Sequence, residues 1–184
     1  MALQFQRIVT GHLADGTSCF LYEGEAASTV EQIGRGLNFF ELWETDGPLA
    51  SNEGNEDAGN RAFSHHPPKG GTRFRIVEFL PDSDRSETAI AAEFASMDVV
   101  QQVEALDDPT MHRNETVDYN IILSGEIYAV TEGGERLLRA GDVIVQRGTA
   151  HTWRNRSNKP CVFASIMVSA EPLALLTDAG EGDA

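Results

Sequence analysis

The stretch MHRNETVDYNIILSGEIYAVTEGGERLLRAGDVIVQRGTAHTWRN, residues 111–155, decides the fold. It sets His112, Asn114 and Asp118 ahead of an apolar run, bends at Ser124-Gly125, reverses at Gly133-Gly134 and again at Gly141-Asp142, and returns to His151. Short β-prone runs parted by turn residues predict strands over 120–123, 126–130, 135–138, 142–146 and 152–155. The pattern resumes after Ser157-Asn158-Lys159-Pro160 with a strand over 161–168. Such a series packs as a sandwich or closes into a small barrel, and closure would bring the two ends of the stretch together. Strand alternation places His112 and Asn114 on one face, with Asp118 at the start of the next strand or past a bulge. His112, Asp118 and His151 are therefore candidate metal ligands, two imidazoles and a carboxylate from separate strands whose geometry the scaffold sets. The alternative is a pair of core histidines in a barrel without a metal.

Upstream, strands are predicted over 7–10 and 18–22, flanking the turn Ala14-Asp15-Gly16-Thr17. A Gly-punctuated link at Gly34 to Gly36 leads to LNFFELWET, residues 37–45, whose aromatics predict a largely buried strand. Residues 46–71 are rich in Gly, Asn, Asp and Pro without periodicity, and read as either a lid or a mobile surface loop. His65 and His66 lie in it, and adjacent loop histidines are expected to be solvated. A strand over 73–80 ends at Pro81. Asp84 and Glu87 then form a helix-capping pair, and Ile90, Phe94 and Met97 share one face of a short helix over about 85–97. Residues 99–106 run on to the turn Asp107-Asp108-Pro109, and the acidic tail 178–184 is expected to fray. No internal repeat divides the chain. It reads as N-terminal strands, loop and helix over 1–104, a core over 105–170 and a tail over 171–184.

With 184 residues, 41% of them hydrophobic and 23% charged, the chain suits one ordinary globular domain. A net charge of -15, from 29 acidic against 14 basic residues, repels polyanions, so nucleic acid and anionic membranes are not expected partners. No apolar run is long enough to span a bilayer, and residues 1–16 lack the pattern of a secretion signal, so a cytoplasmic protein is expected. Cys19 and Cys161 stand far apart in strand-like segments and read as reduced, mostly buried thiols.

The central stretch resembles the cupin superfamily. The first cupin motif, written G-x5-HxH-x3,4-E-x6-G, is matched by His112-x-Asn114-x3-Asp118-x6-Gly125, with Leu106 where the leading Gly would stand. The second, written G-x5-PxG-x2-H-x3-N, is matched by Gly141-x5-Arg147-Gly148-x2-His151-x3-Asn155, one residue shorter at the turn and with Arg147 in place of Pro. The resemblance covers about residues 105–168. It implies an all-β, single-domain jelly-roll barrel, here with extra N-terminal strands and one short helix, and those strands favour a homodimer. In the family pattern three histidines and a glutamate hold the metal. Carried over by position, this chain offers His112, Asp118 and His151, with Asn114 where the second histidine would be.

Two imidazoles and one carboxylate suit iron, manganese, nickel or zinc and leave coordination positions open. Asn114 is placed to hydrogen-bond a molecule bound there, and Glu115 is near enough to act as a general base, although a loop glutamate is more often solvated. Trp153 shares the strand face of His151, while Phe163, Ser165 and Met167 share one face of the last strand and Ile122 faces the same interior. These five would line a pocket for a small, partly apolar, oxygenated substrate. The resemblance implies an oxidoreductase of pathways that build or degrade aromatic or polyketide-like compounds. A cupin lyase, isomerase or decarboxylase, or a non-catalytic small-molecule binder, is the alternative.

Overall fold

The computed structural model describes residues 5–33, 36–86, 88–89, 92, 101–102, 108 and 110–173. The first hairpin pairs β1 (Arg7–His12) with β2 (Ser18–Gly24). Its turn closes as the sequence predicts, with Gly16 at φ +84° and the Thr17 amide bonded to Asp15 Oδ1 at 2.9 Å. Next come β3 (Ser28–Ile33), which the sequence did not reveal, β4 (Leu37–Thr45) and β5 (Thr72–Phe79). A 3-10 turn over Asp82–Asp84 follows. The expected helix over 85–97 falls largely outside the described residues, of which 88, 89 and 92 are helical.

The remaining elements are β6 (Gln101–Gln102), β7 (His112–Arg113), β8 (Thr116–Ser124), β9 (Glu126–Thr131), β10 (Gly134–Arg139), β11 (Val143–Arg147), β12 (His151–Arg154) and β13 (Cys161–Ser169). They form a five-stranded sheet in the order β10-β9-β12-β7-β6 and a six-stranded sheet in the order β11-β8-β13-β5-β4-β3. The six-stranded wall thus draws strands from both the 1–104 and the 105–170 segments. This is the all-β jelly-roll architecture expected from the central stretch. None of the helices among the described residues is long and apolar enough to cross a membrane.

Alternation along β8 sends Thr116, Asp118, Asn120 and Ile122 inward, each buried. Register extends that alternation across the sheet as rungs. Phe39, Val77, Phe163 and Ile122 form an apolar rung, Glu41, Arg75, Ser165 and Asn120 a polar one, and Glu44, Arg73, Met167 and Asp118 a third. The apolar rung packs with Phe79, Ile127 and Trp153 as the barrel's inner core. A second core of Phe40, Leu42, Ile76, Val162 and Ala164 lies on the other face, where Phe5 meets Phe40 edge-on at 5.7 Å. Burial on both faces explains why β4 reads as a nearly continuous apolar run.

The bend between β8 and β9 needs a glycine. Gly125 has φ +75°, and a Cβ there would lie 2.4 Å from the Pro160 carbonyl oxygen. Gly125→Ala is expected to cost about 2 kcal/mol in chemical denaturation, because backbone strain and a steric clash add. A loss below half of that would mean that the bend relaxes freely.

Candidate active site

His112 on β7 and His151 on β12 are direct register partners, and their ring centroids stand 4.1 Å apart. Each imidazole is fixed by the carbonyl two residues before it. His112 Nδ1 bonds to Thr110 O at 3.0 Å and His151 Nδ1 to Thr149 O at 2.9 Å. With Nδ1 as the donor, Nε2 carries the lone pair, the tautomer in which a carbonyl-oriented histidine binds a metal. Burial lowers both imidazoles from their ordinary value, His151 far below it, so both are neutral at neutral pH.

Asp118 reaches the same cavity from the facing sheet. Burial pushes its carboxyl up to about 6, against the pull of Thr116 and Arg75, and its Oδ1 has no hydrogen-bond partner among the described residues. Asn114 is buried in the wall of the same cavity, with Nδ2 3.3 Å from His65 Nε2. Trp153, Phe163, Ser165 and Met167 line the cavity. Ile122, 1% exposed, belongs to the apolar core next to Phe163 and is not part of the lining. Glu115 does not reach the cavity. It is exposed, because alternation turns it outward between the buried Asn114 and Thr116.

His65, expected in solvent, is buried and forms part of the cavity wall. Its ring lies edge-on to His112 at 5.9 Å and to Phe39 at 6.4 Å, and burial holds it neutral. Two buried arginines of β5 fix this end of the 46–71 loop. Arg73 Nη1 and Arg75 Nη2 both donate to Ser64 O, at 2.7 and 2.8 Å. Further out, Arg7 grips Asp57 through both oxygens, at 2.8 and 2.5 Å. The inner end of the loop is therefore part of the barrel, a placement that no periodicity in residues 46–71 encodes.

Arg73 and Arg75 alternate with Phe74 and Ile76 and so share a face with Val77, but a charge on an inner face reverses the usual pattern, and both escape the sequence reading. Arg75 is 1% exposed and pairs with Glu41, its Nε 3.1 Å from Oε1, while Arg73 pairs with Glu44. Burial lowers Arg75 to about 10 and raises Glu41, with the ion pair opposing both shifts.

A cavity of imidazoles, carboxylate and amides between two β-sheets, read at two cupin motif positions, agrees with the family comparison: the cupin domain model matches residues 99–168. The chain is a cupin. It is 32% identical to the oryzines biosynthesis cluster protein J of Aspergillus oryzae over 92% of this chain and 86% of that protein. Against the phomopsin biosynthesis cluster protein C' of Diaporthe leptostromiformis, identity is 33% over 83% of this cupin and 71% of that protein. A cupin-domain-containing oxidoreductase of Neurospora crassa, srdB, is 26% identical over 91% of this cupin and 74% of that protein.

The donor set of this cupin suits a divalent metal by chemistry. His112 and His151 offer Nε2 lone pairs on rings locked by carbonyls, and Asp118 holds a desolvated oxygen without a partner. Among the described residues, however, no three His, Cys, Asp or Glu side chains already converge as a cluster for an ion. The structure brings the two imidazoles together and leaves Asp118 on the opposing sheet of the same cavity.

Proposed function

We propose that this cupin is a metal-dependent oxidoreductase acting on a small oxygenated molecule, with iron, manganese, nickel or zinc held by His112, His151 and Asp118. The observation that carries the reading is the His112–His151 pair, neutral and oriented by two backbone carbonyls inside a barrel. Its likeness to a cupin-domain-containing oxidoreductase and to biosynthesis cluster proteins supports the reaction class. A bound divalent ion would act as a Lewis acid toward an oxygen of the substrate. The chain's own residues do the rest. Trp153, Phe163 and Met167 exclude water around the reacting group, while Asn114 and Ser165 offer hydrogen bonds that orient it. Glu115, turned to solvent, takes no part as a base.

Asn114, standing where the family's second histidine would be, favours one second reading, a cupin that binds a small molecule without turnover. Metal content separates the two. Purified without chelator, the protein is expected to carry close to one metal per chain, and His151→Ala to lose it while remaining folded by circular dichroism. Parent protein without metal, and unable to take it up on reconstitution, would support the binder. Dioxygen consumption with phenolic and 1,3-dicarbonyl compounds then tests the oxidoreductase. No uptake by the iron-loaded protein with any of them would point to lyase or isomerase chemistry instead.

A further inference from the structure

We propose that Arg75 is the substrate-recognition residue of this cupin, and that the substrate is a small carboxylate whose head group lies against Arg75 Nη1, flanked by Ser165 and Asn120. This names the substrate class for the reaction proposed above and rests on that reading for the location of the site.

Arg75 lies 1% exposed inside the barrel yet does not use all its donors. Nη2 serves Ser64 O at 2.8 Å and Glu41 Oε2 at 3.4 Å, and Nε faces Glu41 Oε1 at 3.1 Å. Nη1 has no hydrogen-bond acceptor among the described residues, and Arg75 is part of the cavity lining. Buried donors of a charged group are rarely left unmade, and an unmade one on a residue that lines a cavity points to a ligand acceptor. The guanidinium is also held rigid, with Phe39 at 5.3 Å and Phe63 at 5.4 Å from its carbon. A planar fork fixed in this way prefers a carboxylate to a neutral amide.

The sheet register says what surrounds that head. Ser165 and Asn120 share the rung of Arg75, and both are buried. On one side the next rung is apolar, Val77 with Phe163, and suits an alkyl or aryl tail. On the other side stands Asp118, whose charge a bound metal would offset. The cavity holds about 60 Å3, less than half of the ~150 Å3 that accommodates benzene, so it admits a carboxylate-sized head without rearrangement. The neighbouring ion pairs leave the site open to an anion, since Arg73 is answered by Glu44 and Glu41 is shared between the two arginines.

Calorimetric titration with acetate and with acetamide, of metal-loaded and metal-stripped protein, tests this. Acetate is expected to bind at least about tenfold more tightly than acetamide, the preference of a charge-assisted over a neutral acceptor. Arg75→Met should bring the ratio to about one while metal content stays at the parental value. Because Arg75 also anchors Ser64, a second variant guards against misfolding: Asn120→Asp gives Arg75 an internal carboxylate and should abolish acetate binding with the fold intact. Equal binding of both compounds, no binding of acetate, or a preference that survives in either variant overturns the proposal. Metal content is read separately. A protein that takes metal but shows no acid preference sinks the recognition role alone, and one that takes no metal yet keeps the preference sinks the metal reading alone.

Discussion

Asp118→Asn is expected to remove the metal and, in metal-free protein at pH 7, to raise stability by about 3 kcal/mol. The two effects have one origin. Burial pushes the carboxyl from the ordinary 3.8 to about 6, so ionising it inside the barrel costs about 3 kcal/mol more than in the unfolded chain. The folded state keeps a proton that the unfolded state has lost, so metal-free stability falls as pH rises from about 4 to about 6, then levels off. Asparagine matches the shape without the charge, and the difference between variant and parent should vanish below pH 4. The neutral imidazoles His65, His112 and His151 act oppositely, lowering stability as pH falls below 6.5 in both proteins alike. Metal affinity should drop by more than the ~10–100-fold that loss of an outer-shell partner costs. Urea titrations across pH 4–8 check the first effect and metal competition the second. A variant no more stable than its parent at pH 7 would mean that Asp118 is not desolvated.

Asn155→Ala is expected to cost about 4 kcal/mol and lower the melting temperature by roughly 10 °C. Asn155 is fully buried. Its Nδ2 donates to Phe79 O at 3.0 Å and Lys159 O at 2.8 Å, and its Oδ1 accepts from Ser157 N at 3.1 Å and Ser157 Oγ at 2.7 Å. One side chain thereby ties the end of β5 to the turn between β12 and β13. Its backbone joins in, because the Asn155 amide donates to Asp82 Oδ1 at 3.0 Å and its carbonyl accepts from the Asp82 amide at 2.8 Å. Alanine removes all four side-chain hydrogen bonds, each worth about 1 kcal/mol, and takes the donor from the buried contact with Phe79 O, while Lys159 O keeps the Ser157 hydroxyl at 2.9 Å. A loss below 1 kcal/mol in calorimetry would show that water replaces the amide at no cost.

Most of the fold was legible in residues 111–168. Turn glycines and alternating apolar residues announced β9 to β13, and the two motif histidines proved to be register partners. The first strand of that stretch was less visible. Residues 116–119 belong to β8, yet Thr116, Asp118 and Asn120 are polar residues facing inward, which reverses the usual sign of the pattern. The same reversal hid Arg75, a charge on an inner face, and β3 lacked a strong alternation of its own.

Composition, turn chemistry and strand period are properties of neighbours along the chain, and they determined an all-β sandwich or barrel, while the resemblance of two motifs to the cupin pattern put His112 and His151 at one site. Sheet order and loop path are not local. Only the tertiary structure decided that His65 enters the cavity beside His112, that Glu115 turns away from it, and that Arg75 meets Ser165 and Asn120 on one rung. Those placements depend on hydrogen bonds between segments eleven to forty-nine residues apart, Arg75 to Ser64 and Asn114 to His65, whose partners carry no mark of one another in the sequence.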